Sequence, residues 1–149
     1  MFKDFRQHLR QIVPKPVTRE EIERLFKQGE FTVAQKLCRR ANLQCSDFQE
    51  SIEAGAKNAY FSRRTGVLLS FMYNTGVKVQ YDLTTLLKSM FGANDYHGFL
   101  KQAHRFKIHV GIEKGIEIAI EKLIEKRQIA DAEGWRRKFK ALQDNDKPR

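Results

Sequence analysis

The run KQGEFTVAQKLCRRANL, Lys27 to Leu43, decides the fold, because it holds a turn and one complete amphipathic helix. Gly29 interrupts the preceding apolar pattern, and Phe31, Ala34, Leu37, Cys38 and Ala41 then recur at three- and four-residue spacing. Residues so spaced share one face of a helix. Lys36, Arg39 and Arg40 fall on the opposite face, so the helix is apolar inward and basic outward.

The same period extends in both directions. Upstream, Thr18 followed three residues on by Glu21 has the form of a capping box, and Ile22, Leu25 and Phe26 line a helix that Gly29 ends. Downstream, Ser46 and Gln49 repeat the capping pattern, and Phe48, Ile52, Ala56, Ala59 and Tyr60 predict a helix reaching the polar turn SRRTG. A short apolar helix, VLLSFMY, then stops at Asn74-Thr75-Gly76. The segment VKVQY alternates as a strand does, but with no partner strand to complete its hydrogen bonds it reads as an extended connector.

Asp82 and Asp95 are predicted caps of two further helices. The first turns Leu83, Leu86, Leu87, Met90 and Phe91 inward and ends at Gly92; the second turns Tyr96, Phe99, Leu100, Ala103 and Phe106 inward. From Gly111 to Arg127, Ile112, Ile116, Ala119 and Leu123 form a seam that Ile120 and Ile124 widen. Asp131 is the predicted cap of a last helix holding Trp135, Phe139 and Leu142.

The expected fold is all-α: about eight short helices arranged as four stacked antiparallel helical hairpins, a repeat-like bundle. Residues 18–142 form its single domain. Residues 1–17, interrupted by Pro14 and Pro16, form a flexible or partly helical N-terminal segment, and residues 143–149 a disordered tail. Sliding the chain on itself by 65 residues pairs Phe31 with Tyr96, Lys36 with Lys101, Arg40 with Arg105 and Leu43 with Ile108. Sliding it by 98 pairs Ala34 with Ala132, Leu37 with Trp135 and Arg39 with Arg137; the two offsets differ by 33, the length of a helix-turn-helix repeat. The hairpin from Asp47 to about Gly76 fits the slot between them but neither register.

On these residues the chain resembles tetratricopeptide repeats. Gly29, Phe31, Ala34 and Ala41 stand where that family has its second-helix pattern, and KRQIADAEGWRRKFKAL is a fainter echo. No hairpin carries the family's full first-helix pattern or its closing proline. In unit length and basic character the chain is similar also to pentatricopeptide repeats, which bind single-stranded RNA at roughly one base per repeat. None of that family's base-reading positions can be placed here.

The composition narrows the function. Lys and Arg number 28 against 18 acids, a formal charge of +10, which favours polyanionic partners. No stretch approaches the roughly 20 apolar residues of a membrane span, and MFKDFRQHLR is charged where a signal peptide would be apolar, so a cytoplasmic protein is expected. Cys38 and Cys45 lack CxxC spacing and read as free thiols. His97 and His104 lie two turns apart on one helix, too far for a metal-binding pair at i and i+4. Glu113, Glu117, Glu121 and Glu125 form an acidic ridge that reads as a solvated face or as a strip for Arg136, Arg137 and Lys140 of the next helix. No phosphate loop or nucleophile arrangement is visible, so no catalytic residue, metal or cofactor is expected.

The basic residues are the candidate site. Lys36, Arg39 and Arg40 lie on the second helix of hairpin one, Lys101 and Arg105 at the corresponding places in hairpin three, and Arg136, Arg137 and Lys140 in hairpin four. Arg63 and Arg64 occupy the turn of hairpin two. If the second helices line one side of the stack, these charges add into a stripe that can neutralise successive phosphates. Phe61, Tyr73, Tyr81 and Tyr96 are candidate stacking platforms for unpaired bases. The first reading is a nucleic-acid-binding module for RNA or another single strand, and the second an adaptor or chaperone for a peptide or acidic protein partner. A third, a helix-turn-helix DNA binder, draws on DLTTLLKSMFGANDYHGFLKQAHRFK. Oligomeric state is open.

Overall fold

A computed structural model describes residues 16–145 of the chain; residues 1–15 of the expected N-terminal segment and 146–149 of the tail lie outside the described residues. Described residues fold into helices and connections without a strand. The helices are α1 (Arg19–Lys27), α2 (Phe31–Arg40), α3 (Gln49–Phe61), α4 (Thr65–Thr75), α5 (Leu83–Gly92), α6 (Tyr96–Arg105), α7 (Glu113–Glu125) and α8 (Ile129–Asn145), with a 3-10 turn at Cys45–Phe48. They pair as α1/α2, α3/α4, α5/α6 and α7/α8.

Three predicted caps form. Thr18 Oγ1 accepts the Glu21 N–H at 3.2 Å, Asp82 Oδ1 that of Thr85 at 2.7 Å, and Asp95 Oδ1 that of Gly98 at 3.1 Å. Two others do not. Ser46 lies inside the 3-10 turn, and α3 begins at Gln49 without a side-chain cap. The Gln49 amide donates instead to Glu53 Oε1 at 2.8 Å and to the Lys78 carbonyl at 2.7 Å. Asp131 lies within the first turn of α8, which starts two residues earlier and runs to Asn145, past the expected boundary at 142.

The turn before α8 explains its early start, and the same turn recurs in every hairpin. Gly29, Arg63, Asn94 and Arg127 all have φ between 60° and 80°, the left-handed conformation that ends a helix. The residue after each donates its N–H back to the carbonyl five residues before it: Glu30 to Leu25, Arg64 to Ala59, Asp95 to Met90 and Gln128 to Leu123. Each donor stands immediately before the next helix, so one helix ends and the next begins within three residues. The left-handed positions are 34, 31 and 33 residues apart. Hairpin two therefore lies at an offset of 34 from hairpin one, a register the sequence conceals because arginine occupies the left-handed position that Gly29 fills in hairpin one.

Between hairpins the connection carries an apolar residue instead. Leu43 and Ile108 follow left-handed Asn42 and Lys107, make the same backbone bond, to Cys38 and Ala103, and pack half-buried on the core. The connector VKVQY is neither helix nor strand and bends at Gln80 and Tyr81, and its alternation has a use. Val77, Val79 and Tyr81 turn to the core, while the Gln80 N–H donates to Glu53 Oε2 at 2.9 Å.

The second helices pack in order, α2 on α4, α4 on α6, α6 on α8, forming an unbroken row. In the first-helix layer α1 and α3 pack closely, whereas α3 with α5 and α5 with α7 do not. Phe26, Phe31, Phe48 and Phe71 knit hairpins one and two, with Phe31 stacked on Phe71 at 5.1 Å between centroids. At the α1–α3 crossing Gly55 lies against the backbone of Phe26, so that a Cβ there would overlap the Phe26 carbonyl oxygen. Gly55→Ala is therefore expected to lose about 3 kcal/mol by overpacking. Gly134→Ala, in helical backbone with open space around it, is expected to gain about 1 kcal/mol. Urea denaturation of the two variants checks the contrast.

Candidate functional site

In α2 the side chains of Phe31, Ala34 and Cys38 are buried, which leaves Lys36, Arg39 and Arg40 exposed on the outward side. In α6, Phe99, Leu100, Gln102 and Ala103 are buried, Lys101 is exposed and Arg105 half-buried. The Arg105 guanidinium lies over the ring of Tyr73 on α4, 5.0 Å from its centroid, and Tyr73 keeps 51% of its surface exposed. In α8, Arg137 points away from buried Ala132, Trp135 and Phe139. Each of these residues lies away from the buried side of its own helix, and the three helices belong to the one row.

The remaining candidates lie elsewhere. Arg136 and Lys140 turn toward α7 and line a groove of about 380 Å³ opposite Glu113, Glu117 and Glu121. The acidic ridge thus faces them across that groove, without an ion pair shorter than 4 Å, and Arg137 does not line it. Arg64 reaches back across the hairpin boundary, donating from Nη2 to the Gln28 carbonyl and from Nε to Ser62 Oγ, both at 3.3 Å. It straps the turn of hairpin two to that of hairpin one. Arg63, in the same turn, stays exposed. On α4 itself the exposed residues Val67, Tyr73 and Asn74 are uncharged, so the basic surface has an aromatic interval between α2 and α6.

The one ion pair between described residues is Lys122 with Glu125 at 3.4 Å. Lys36, Arg39, Arg40, Lys101 and Arg105 therefore carry charge that no described carboxylate neutralises at contact distance. Lys138, absent from the expected set, adds to it. Its ammonium lies 4.6 Å from the Trp135 ring centroid, and with Lys101 and His97 it lines the cleft between α6 and α8. The signal was present in the sequence as the third member of RRK, Arg136 to Lys138.

His97 and His104 belong to packing. Trp135 Nε1 donates to His97 Nδ1 at 3.3 Å, and His104 meets Trp135 and Phe139 edge to face. Among the described residues no third His, Cys, Asp or Glu completes a metal-binding group with them. Burial, then the Lys138 charge, holds the His104 pKa below its usual value. Of the aromatic candidates, Tyr81 stacks on Tyr60 at 4.6 Å, and Tyr96 is covered by Phe91 and Lys126. Phe61 and Tyr73 remain exposed.

Both thiols are free. Burial, then the neighbouring Cys45, pushes the Cys38 thiol up to about 12, and burial raises Cys45 as well, so neither is a ready nucleophile. No helix among the described residues is long and apolar enough to cross a membrane. Comparison with protein-family models, curated proteins and solved structures returned no match to this chain.

A histidine whose pKa is lower folded than unfolded binds more protons when unfolded, so its contribution to stability is full above about pH 6.5 and is lost as the pH falls through the folded value. His104 is expected to titrate by NMR below pH 6.5, with stability declining on acidification. His104→Gln should remove that part of the decline.

Proposed function

We propose that the chain is a non-enzymatic helical-repeat module that binds nucleic acid, RNA or another single strand, through the outward side of its second-helix row. The observation that carries this reading is Arg105 lying over half-exposed Tyr73, with Lys101 one turn away and no carboxylate among the described residues paired to either cation. A guanidinium on an aromatic face offers a phosphate its charge and an unpaired base a plane to stack on. Lys36, Arg39 and Arg40 on one side and Arg137 and Lys138 on the other extend the positive surface along the row. The recurrence of one turn at steps of 31 to 34 residues supports treating the hairpins as units of a repeat, in keeping with the tetratricopeptide resemblance.

A second reading, an adaptor for a peptide, draws on the groove between α7 and α8, where Glu113, Glu117 and Glu121 face Arg136 and Lys140. A groove charged in both signs suits a peptide carrying both signs better than a polyanion.

The two readings part in one experiment. If five cations contact a single strand, log affinity should fall against log salt with a slope of about −3.5, a loss of roughly a hundredfold between 50 and 200 mM. Exchanging Lys36, Arg39, Arg40, Lys101 and Arg105 together for Glu should abolish binding, while Arg136→Glu with Lys140→Glu should leave it nearly intact. Electrophoretic shift or fluorescence anisotropy with labelled RNA reads both. Undiminished binding by the fivefold variant overturns the reading, and retention of a nuclease-resistant protein partner that the double variant loses establishes the adaptor.

A further inference from the structure

The first-helix side carries a feature that the folding of the chain does not require. Phe61, the last residue of α3, keeps 71% of its surface exposed. Phe61 lines two clefts, one toward α1 and one toward α5. The first is lined also by Lys27, Lys57 and Asn58, with a volume of about 510 Å³; the second, by Arg63, Lys88 and Gly92, with about 470 Å³. Four cations thus line the two clefts that Phe61 also lines, and no carboxylate among the described residues lines either.

The recurring turn explains the arrangement. Counting from the left-handed residue, Lys27, Phe61 and Gly92 are equivalent last residues of α1, α3 and α5. Hairpin one therefore brings a cation to Phe61. Hairpin three brings a glycine, and a Cβ built there meets nothing within 4 Å, so that side of the ring stays open. Beneath the ring, Tyr60 meets Phe61 edge to face at 5.5 Å and is itself stacked on Tyr81, which fixes the platform.

We propose that this end of the first-helix row is a nucleic-acid contact in its own right, in which Phe61 stacks on an unpaired base and Lys27, Lys57, Arg63 and Lys88 hold the phosphates on either side. The inference rests on the nucleic-acid reading above and narrows the ligand to a single strand, because bases in a duplex have no open face to offer. An anionic membrane would also meet cations and an exposed Phe. It would need several apolar side chains at one level, and among the described residues none of the other exposed large apolar ones, Val33, Val67, Tyr73, Val110, Ile124 and Ile129, lines either cleft.

The test uses a labelled RNA of about twelve nucleotides, single-stranded and as a duplex, with the wild-type chain and Phe61→Ala, Phe61→Leu and Phe61→Trp. Phe61 contributes little buried surface, so circular dichroism and Tm should be unchanged in all three. Phe61→Ala is expected to weaken single-strand binding about tenfold with the salt slope unaltered. Phe61→Leu, apolar but without a flat face, should be equally weak; Phe61→Trp should restore binding, with the added indole quenched by the strand. Duplex affinity should be the same throughout.

Single-strand binding by Phe61→Ala at wild-type strength overturns the inference and leaves the second-helix reading standing. Equal losses for strand and duplex also overturn it, since no base is then being read. Wild-type and Phe61→Leu chains that sediment with phosphatidylserine vesicles, when Phe61→Ala does not, assign the patch to a membrane. If the wild-type chain binds neither strand nor duplex, the nucleic-acid reading falls and this inference with it.

Discussion

The structure depends on a backbone hydrogen bond that spans five residues and closes each hairpin. Ending a helix leaves carbonyls without intrahelical partners, and the left-handed residue at Gly29, Arg63, Asn94 and Arg127 turns the next N–H back to one of them. Because that N–H belongs to Glu30, Arg64, Asp95 or Gln128, each directly before the following helix, the turn sets the separation and direction of two helices at once. Non-glycine residues in this conformation are disfavoured by about 1 kcal/mol each. Packing must hold them there, and it does so differently at the two kinds of connection. Where the next residue is polar the chain reverses tightly; where it is Leu43 or Ile108 it is drawn down onto the core and the next hairpin begins.

From this turn follows the row of second helices, and from the row follows the placement of charge. Lys36, Arg39 and Arg40 on α2 and Lys101 and Arg105 on α6 lie outward because the inward positions between them are filled by Ala34, Cys38, Phe99 and Ala103. With α4 between them carrying no cation on its exposed side, repulsion across the row is relieved, and Tyr73 occupies the interval. On α8 one turn of helix divides the cations by direction: Lys138 faces α6, Arg137 faces outward, and Arg136 and Lys140 face the α7 carboxylates.

Much of this was legible in the sequence. The helix period, the caps at Thr18, Asp82 and Asp95, and the pairing of Leu43 with Ile108 at an offset of 65 all rest on local chemistry that side chains report directly. What could not be read rests on backbone conformation or on neighbours distant in sequence. Arg63, Lys107 and Arg127 give no sign of adopting the left-handed conformation that glycine or asparagine would advertise, and this concealed the register of hairpin two. Ser46 carried a correct local signal that the 3-10 turn overrode. The division of Arg136 and Lys140 from Arg137 required knowing on which side of α8 the helix α7 packs.

Equivalent turns also make their differences informative. The last first-helix residue is Lys27, Phe61, Gly92 and Glu125 in the four hairpins, so the shared backbone places no demand on this side chain. A Phe that is 71% exposed forgoes most of the roughly 2 to 3 kcal/mol that its burial would contribute. Nor does the core need it as a plug, since Tyr60, one residue earlier, already packs there against Tyr81. Arg63 is forced by the turn into the left-handed conformation, which places it beside Phe61 at the mouth of the α5 cleft. In this hairpin the left-handed position holds an arginine where glycine would be unstrained, and the helix end holds an exposed phenylalanine. Stability alone does not account for that pair.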